Sequence, residues 1–335
     1  MATTTDALSS VKDPANKAGP GGPTQGGYRR SFTSASQKGA GGSSRLHLKL
    51  LAPILIFEGL FVVYPIIKGI LIALQQTNYG VTKWVGFANF DKMFGDPYFW
   101  ASVRTTFEFT LSMVVVWLSL GLGVALLTNL SFKGRTLVRG LLAIPWAVPD
   151  IPTVITFIVM LDPNFGILNH IASVLFGVNH HILWFSQSNL AFISIVAMLG
   201  WKGFPFFGLV ILSSLSSIPD DLYEAAMVDG AGTLRRFRSI TFPALVPTLS
   251  LLALLAFIFS FQQFTLIYLT TGGGPGQATS TLAIYIYNTA FQYFNYNYAA
   301  AMGVGGLVLA LLGTIVFVVV ERRVIRARYL QEGLA

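Results

Sequence analysis

The feature that most constrains this chain is a recurrence of apolar stretches, each long enough to cross about 30 Å of hydrocarbon, which takes roughly 20 helical residues. Six of them lie near residues 50–74, 105–130, 138–161, 189–213, 244–270 and 298–320. Charged residues are only 11% of the chain and mean hydropathy is +0.64, whereas a soluble domain carries roughly a quarter charged residues. A water-facing surface is built mainly from Lys, Glu, Asp and Arg, and this sequence is short of them. The pattern predicts an all-α integral membrane protein with six transmembrane helices in the lipid bilayer.

The connecting segments differ sharply in charge. Lys133, Arg135 and Arg139 crowd the second connection, Arg235, Arg236 and Arg238 the fourth, and Arg322, Arg323, Arg326 and Arg328 the C-terminal segment, while the third and fifth connections hold no Lys or Arg. The net charge of +8 therefore reads as membrane topology with basic loops inside, not as a nucleic-acid surface. Residues 1–49 are rich in Gly, Ser, Thr and Pro with scattered Lys and Arg, which predicts a disordered basic tail on the cytoplasmic side. An even number of spans then places the C-terminal segment, 321–335, in the cytoplasm too. Tyr98, Phe99 and Trp100, and Trp184 with Phe185, fall where spans should meet the outer interface.

Two features depart from a plain set of spans. The first is polar: Asp150 lies among Pro145, Pro149 and Pro152, and Lys202 follows Trp201 inside an apolar run. Charges at such depth cost about 2.5–3.5 kcal/mol each on insertion scales, so they face one another, a bundle interior or a wet pathway. A structural Asp150–Lys202 pair, snorkelling by Lys202 and a pathway-lining role all remain open; Glu58 in the first span is a similar case. Gln262, Gln263 and Phe264 sit about two helical turns before the Thr-Gly-Gly-Gly-Pro loop, at a depth comparable to Trp201 and Lys202. They could line a pathway, Trp201 and Phe264 through their rings and one glutamine through hydrogen bonds, or they could serve helix packing.

The second feature is the fourth connection, 216–243, which is too long and too regular for a turn. Ser217 is a candidate N-cap, Pro219 suits a first turn, and Asp220 and Asp221 complement the positive helix end. Gly230 supplies a left-handed stop, and Thr233 is a candidate N-cap for a second helix running until Pro243. The small residues Ala225, Ala226 and Gly230 beside Glu224 suit docking of another protein; an amphipathic helix on the lipid surface is the alternative.

These residues carry a resemblance. Glu224, Ala225, Ala226, Gly230, Ile240 and Pro243, at their spacing and with Phe242 in place of a usual Leu, resemble the EAA loop of membrane subunits of binding-protein-dependent ABC importers. Phe264–Tyr268 followed by Thr271, Gly272, Gly273, Gly274 and Pro275, the Asp162–Asn169 segment, and Tyr64 with Pro65 are similar to the sugar-importing, maltodextrin-permease branch. The resemblance spans roughly 46–325. It implies type I ABC importer permease architecture, with the permease domain over 50–320. It also implies a second permease subunit, two ATPase subunits that bind ATP and Mg, and an external sugar-binding protein that delivers a carbohydrate. Glu224, Ala225, Ala226, Gly230, Ile240 and Pro243 would couple to the ATPases.

Several classes find no support in the residues. The glycine-rich run Gly272–Gly276 lacks the Gly-Lys-Ser/Thr of a phosphate loop. His170, His180 and His181 come without a carboxylate pattern, and there is no cysteine, so no metal or cofactor is expected on this chain. No nucleophile, base and orienting group occur in a recognisable arrangement, so the chain is expected to catalyse no reaction. An ion-coupled secondary transporter using Asp150 is the rival class, and it leaves the EAA-like loop unexplained.

Overall fold

The structure, a computed structural model, describes residues 50–177 and 182–331. The expected tail at 1–49, together with His180 and His181, lies outside the described residues. Among the described residues five helices are long and apolar enough to cross a membrane. They are α1 (Leu50–Ala73), α3 (Pro97–Asn129), α7 (Ser188–Leu215), α9 (Thr233–Phe261) and α12, which crosses over Tyr296–Arg323 and continues to Gln331. Shorter helices lie between them: α2 (Ala88–Phe94), α4 (Arg135–Ala147), α5 (Asp150–Met160), α6 (Ile167–Phe176), α8 (Asp220–Val228), α10 (Thr265–Thr271) and α11 (Leu282–Tyr287).

The third expected span, 138–161, is not one straight helix. It is the pair α4 and α5, bent by 94° at Val148–Pro149. Pro145, Pro149 and Pro152 each lack an N–H, and the carbonyls they leave without helical donors make this segment the weakest place to continue a helix. The fifth span also differs from the expected 244–270. It begins at Thr233, ends at Phe261, and resumes as α10 after an unwound Gln262–Phe264. Ser260 donates its hydroxyl back to the carbonyls of Ala256 and Phe257, a local competitor that bends helices.

Proline is met differently in α1 and α9. A π turn at Gly59–Val63 lets Tyr64 N–H reach Gly59 O just before Pro65, and another at Phe237–Thr241 lets Phe242 N–H reach Phe237 O just before Pro243. Widening the turn absorbs the missing donor and lets the helix run on. Pro243 therefore does not end the helix begun at Thr233, contrary to the sequence expectation.

At the end opposite α8, a two-stranded antiparallel hairpin, β1 (Gln75–Asn78) and β2 (Val81–Trp84), follows α1. Asn78 pairs with Val81 across Tyr79 and Gly80, both at positive φ, which is the backbone a two-residue hairpin turn needs. The last carbonyls of α1 need donors at this edge. Asn89 Nδ2 donates to Ala73 O and Gln75 O at 2.8 Å, and Asn297 Nδ2 donates to Ile72 O at 3.1 Å. Beside them Asp96 caps α3 by accepting from Tyr98 N–H and accepts from the hydroxyls of Tyr285 and Tyr298. Burial pushes its carboxyl up, but those hydroxyls and the N–H groups of Tyr98 and Phe99 outweigh it and hold the group below the usual aspartate range.

The most extensive helix pairing is α3 with α7. It depends on glycine: a Cβ at Gly121 would sit 2.9 Å from Phe207 Cβ and 3.0 Å from Gly208 N, and one at Gly200 would sit 2.7 Å from Val116. Backbones that close gain dispersion contacts, which are what hold helices together in lipid. Gly123, two residues on, has open space around its Cβ position. Gly121→Ala should thus destabilise the solubilised protein by about 1–3 kcal/mol through overpacking, while Gly123→Ala should be neutral or slightly stabilising. Denaturant titrations of both variants in one detergent check the contrast.

Candidate functional site

Where α4 breaks from α5, two helix ends meet. The C-terminal carbonyls of α4 favour a cation and the N-terminal amides of α5 an anion. Lys202, from the middle of α7, meets the first need by donating its ammonium to Val148 O. Asp150, in the first turn of α5, meets the second. The two charges pair at 3.2 Å, with the Lys202 side chain 16% exposed and that of Asp150 43%. The structural pairing left open by the sequence is therefore present.

A cavity of about 310 Å³ opens beside this pair. Its walls come from Trp117 of α3, Trp146 of α4, Asp150, then Leu199, Lys202, Gly203, Phe206 and Phe207 of α7, Phe259 of α9, Gln263 and Leu266. The aromatic walls are held in place. Trp117 stacks on Phe207 with centroids 5.2 Å apart, and its indole N–H donates to Leu199 O at 2.8 Å. Trp146 stacks on Phe206 at 6.1 Å, and Phe206 meets Phe207 edge to face at 5.4 Å. Gly203 makes room for this arrangement, since a Cβ there would lie 2.3 Å from Trp117 Nε1.

Of the six residues singled out for a pathway, the structure brings Asp150, Lys202 and Gln263 together here. The other three point elsewhere. Trp201 lies 5.4 Å from the Phe157 ring, linking α7 to α5. Phe264 packs on Tyr268 at 5.0 Å and Tyr287 at 4.9 Å, so the protein's own rings occupy the faces expected to be free. Gln262 is exposed and absent from the cavity wall. Trp117, Trp146, Phe206, Phe207 and Phe259 were not foreseen. In an apolar run an aromatic that lines a cavity is indistinguishable from one that packs or faces lipid. The prolines and the charged pair were the only available signal.

The second candidate region is the loop around α8. Pro219, not Ser217, is its N-cap; the Ser217 hydroxyl donates to Ser214 O instead. The stop falls where expected, with Gly230 at φ +75° and Ala231 N–H donating to Ala226 O at 2.8 Å. The helix after it is capped at Gly232, one residue before Thr233. Tyr223 and Thr241 share a hydroxyl hydrogen bond of 2.9 Å that fixes α8 against α9. No residue of α8 is buried. Leu222, Met227, Val228 and Leu234 lie exposed around Glu224 and Ala225, while Ala226, Ile240 and Pro243 are half-buried. Apolar side chains left exposed this way, rimmed by charge, mark a protein contact surface. A Cβ at Gly230 would meet nothing within 4 Å, so a substitution there strains the backbone and alters the surface without a clash inside the chain.

The Asp162–Asn169 segment closes the far end of α5. Asp162 Oδ1 accepts from Asn164 N–H and Phe165 N–H, and Asn169 donates to Asp162 O while accepting from Trp184 Nε1–H. It shapes a turn. Among the described residues no group of three or more His, Asp or Glu is placed to hold a metal.

Residues 117–326 match the family described as binding-protein-dependent transport system inner membrane component. The chain is 37% identical over 290 residues to the sulfoquinovosyl glycerol transport system permease protein SmoG of Agrobacterium fabrum, covering 86% of this chain and 92% of that one. It is 36% identical over 284 residues to the trehalose/maltose transport system permease protein MalF of Thermococcus litoralis, covering 83% and 94%. Its fold matches a chain of a bacterial ABC transporter involved in the import of the acidic polysaccharide alginate, with a TM-score of 0.74 at 24% identity over 84% of this chain and 96% of that one.

The double use of Lys202 sets a stability test. Lys202→Met leaves both Val148 O and Asp150 without their donor and should cost about 1–3 kcal/mol. Asp150→Asn should cost less, because that side chain is 43% exposed. Thermal denaturation of the two variants in detergent checks the order.

Proposed function

We propose that this chain, which belongs to the family of binding-protein-dependent transport system inner membrane components, carries a carbohydrate across the membrane through the cavity at the broken third span. It is a transport component of an ABC importer and not an enzyme, and it spans the prokaryotic inner membrane several times. The observation that carries the carbohydrate reading is the cavity's composition. The exposed rings of Trp146 and Phe259 offer apolar faces for sugar C–H surfaces, and Gln263 with the Asp150–Lys202 pair offers hydrogen-bonding groups for hydroxyls. The relatives named for sulfoquinovosyl glycerol and for trehalose and maltose support the same class.

In this reading both chain ends and α8 lie in the cytoplasm, and the hairpin end faces outward. A second permease subunit, two ATPases holding ATP and Mg, and an external binding protein complete the importer. Glu224, Ala225, Ala226 and Gly230, with Ile240 and Pro243 behind them, form the docking surface for an ATPase. Tyr223 and Thr241 make that surface rigid with α9, so ATPase closure moves the span and reopens the cavity outward. Phe264 and Trp201 act as packing groups that hold α10 and α5 in place. An ion-coupled carrier built on Asp150 would need that carboxylate free for its ion, whereas here it is committed to Lys202.

Proteoliposomes provide the test. Sugar uptake should require the ATPases, the binding protein and ATP. Gly230→Val, which adds about 1–3 kcal/mol of backbone strain to the docking turn, and Glu224→Ala should each lower uptake by at least about tenfold, the equivalent of one lost charged hydrogen bond. Permease content of the membrane should not change. Uptake driven by a proton or sodium gradient without ATPase would contradict the reading.

A further inference from the structure

Asp150 and Lys202 are the only ionisable residues among the described residues that line the cavity, so with the pair formed the cavity carries no net charge. The pair is also asymmetric. Lys202 is largely buried and already donates to Val148 O and to Asp150, while the carboxylate is the more exposed partner. A ligand entering the cavity therefore meets stacked rings, an amide and a carboxylate oxygen that can accept from a hydroxyl. It meets no free cation. An anionic ligand would have to shed its water and gain no charged donor in return, next to a like charge.

We propose that Asp150 is a charge filter, which by neutralising Lys202 reserves the cavity for neutral saccharides and rejects those bearing carboxylate groups. This rests on the reading of the cavity as the carbohydrate site. The residue acts through Lys202: without the carboxylate, an ammonium with two of its three N–H groups unused and no counter-charge would face the cavity and would hold an acidic sugar by a charge-assisted hydrogen bond, roughly twice as strong as a neutral one.

The test uses the assembled permease–ATPase complex without the binding protein, so that the cavity alone selects. The complex is equilibrated with an equimolar pool of neutral and uronate-containing trisaccharides, and the retained sugars are quantified by mass spectrometry. Wild type should retain neutral sugars. Asp150→Asn should raise the uronate-to-neutral ratio by about tenfold or more, the factor expected for one charge-assisted bond. Gln263→Lys adds a cation while leaving the pair intact and should shift the ratio the same way, which keeps the test decisive if Asp150→Asn fails to assemble. Asp150→Asn combined with Lys202→Gln should return the ratio to the wild-type value. A ratio that moves less than about twofold in an assembled Asp150→Asn or Gln263→Lys complex, or a wild type that retains both classes equally, overturns the filter while leaving the carbohydrate site standing. Retention of no saccharide by wild type and variants alike overturns the carbohydrate reading, and the filter with it.

Discussion

Pro152 has no N–H, so the carbonyl of Val148, four residues before it, has no donor to continue a helix. At membrane depth such a group costs several kcal/mol unless protein satisfies it. Lys202 satisfies it from the neighbouring span. That bond lets the chain turn by 94° between α4 and α5, and the turn places two helix ends, with their opposite partial charges, inside the membrane. Asp150 then stabilises both the N-terminus of α5 and the ammonium of Lys202. The polar side of the cavity is the residue of this compensation, and any pathway through it inherits a matched pair of charges.

The aromatic side follows from α3 and α7. Gly121, Gly200 and Gly208 bring these two helices close enough for Trp117 to hydrogen-bond Leu199 O across the contact, and Gly203 leaves the space that its indole fills. The same close approach that holds the helices together therefore orients the ring that walls the cavity. At the α8 end, the π turn at Phe237–Thr241 keeps α9 continuous through Pro243. The surface on α8 that we propose docks an ATPase is thereby joined to α9 without a hinge, which is what transmission of a movement requires.

Much of this was legible in the sequence because it depends on length and residue type. The long apolar runs located the spans within a few residues, except that α3 starts eight residues early, at Pro97, where Asp96 is a regular N-cap, and α9 starts and ends about ten residues early, at Thr233 and Phe261. Gly230 was legible because a left-handed stop after Glu224–Ala226 needs glycine. The Asp150–Lys202 pair was legible as one alternative, since two opposite charges at similar depth seek each other. What was not legible depends on three dimensions. The prolines announced disruption but not a 94° turn, at which the free carbonyl of Val148 is satisfied by Lys202 from another helix. The unwinding at Gln262–Phe264 comes just after a back-bonded Ser260, with no proline or glycine to mark it. Pro243 reads as a terminator unless the π turn ahead of it is known. Phe264 and Trp201 have the chemistry of a sugar platform, but Phe264 packs on Tyr268 and Tyr287, and Trp201, though exposed, leans on Phe157 outside the cavity wall.

The central claim is that sugar passes beside the break between α4 and α5 and touches the groups that stabilise that break. A structure of the assembled importer with a transported saccharide trapped in the membrane tests it most directly. The account predicts saccharide density against Trp146 and Phe259, within hydrogen-bonding distance of Gln263 or Asp150, with Lys202 still bonded to Val148 O. Density lying elsewhere in the membrane, or a straight third span with Lys202 turned away from Val148, would contradict it.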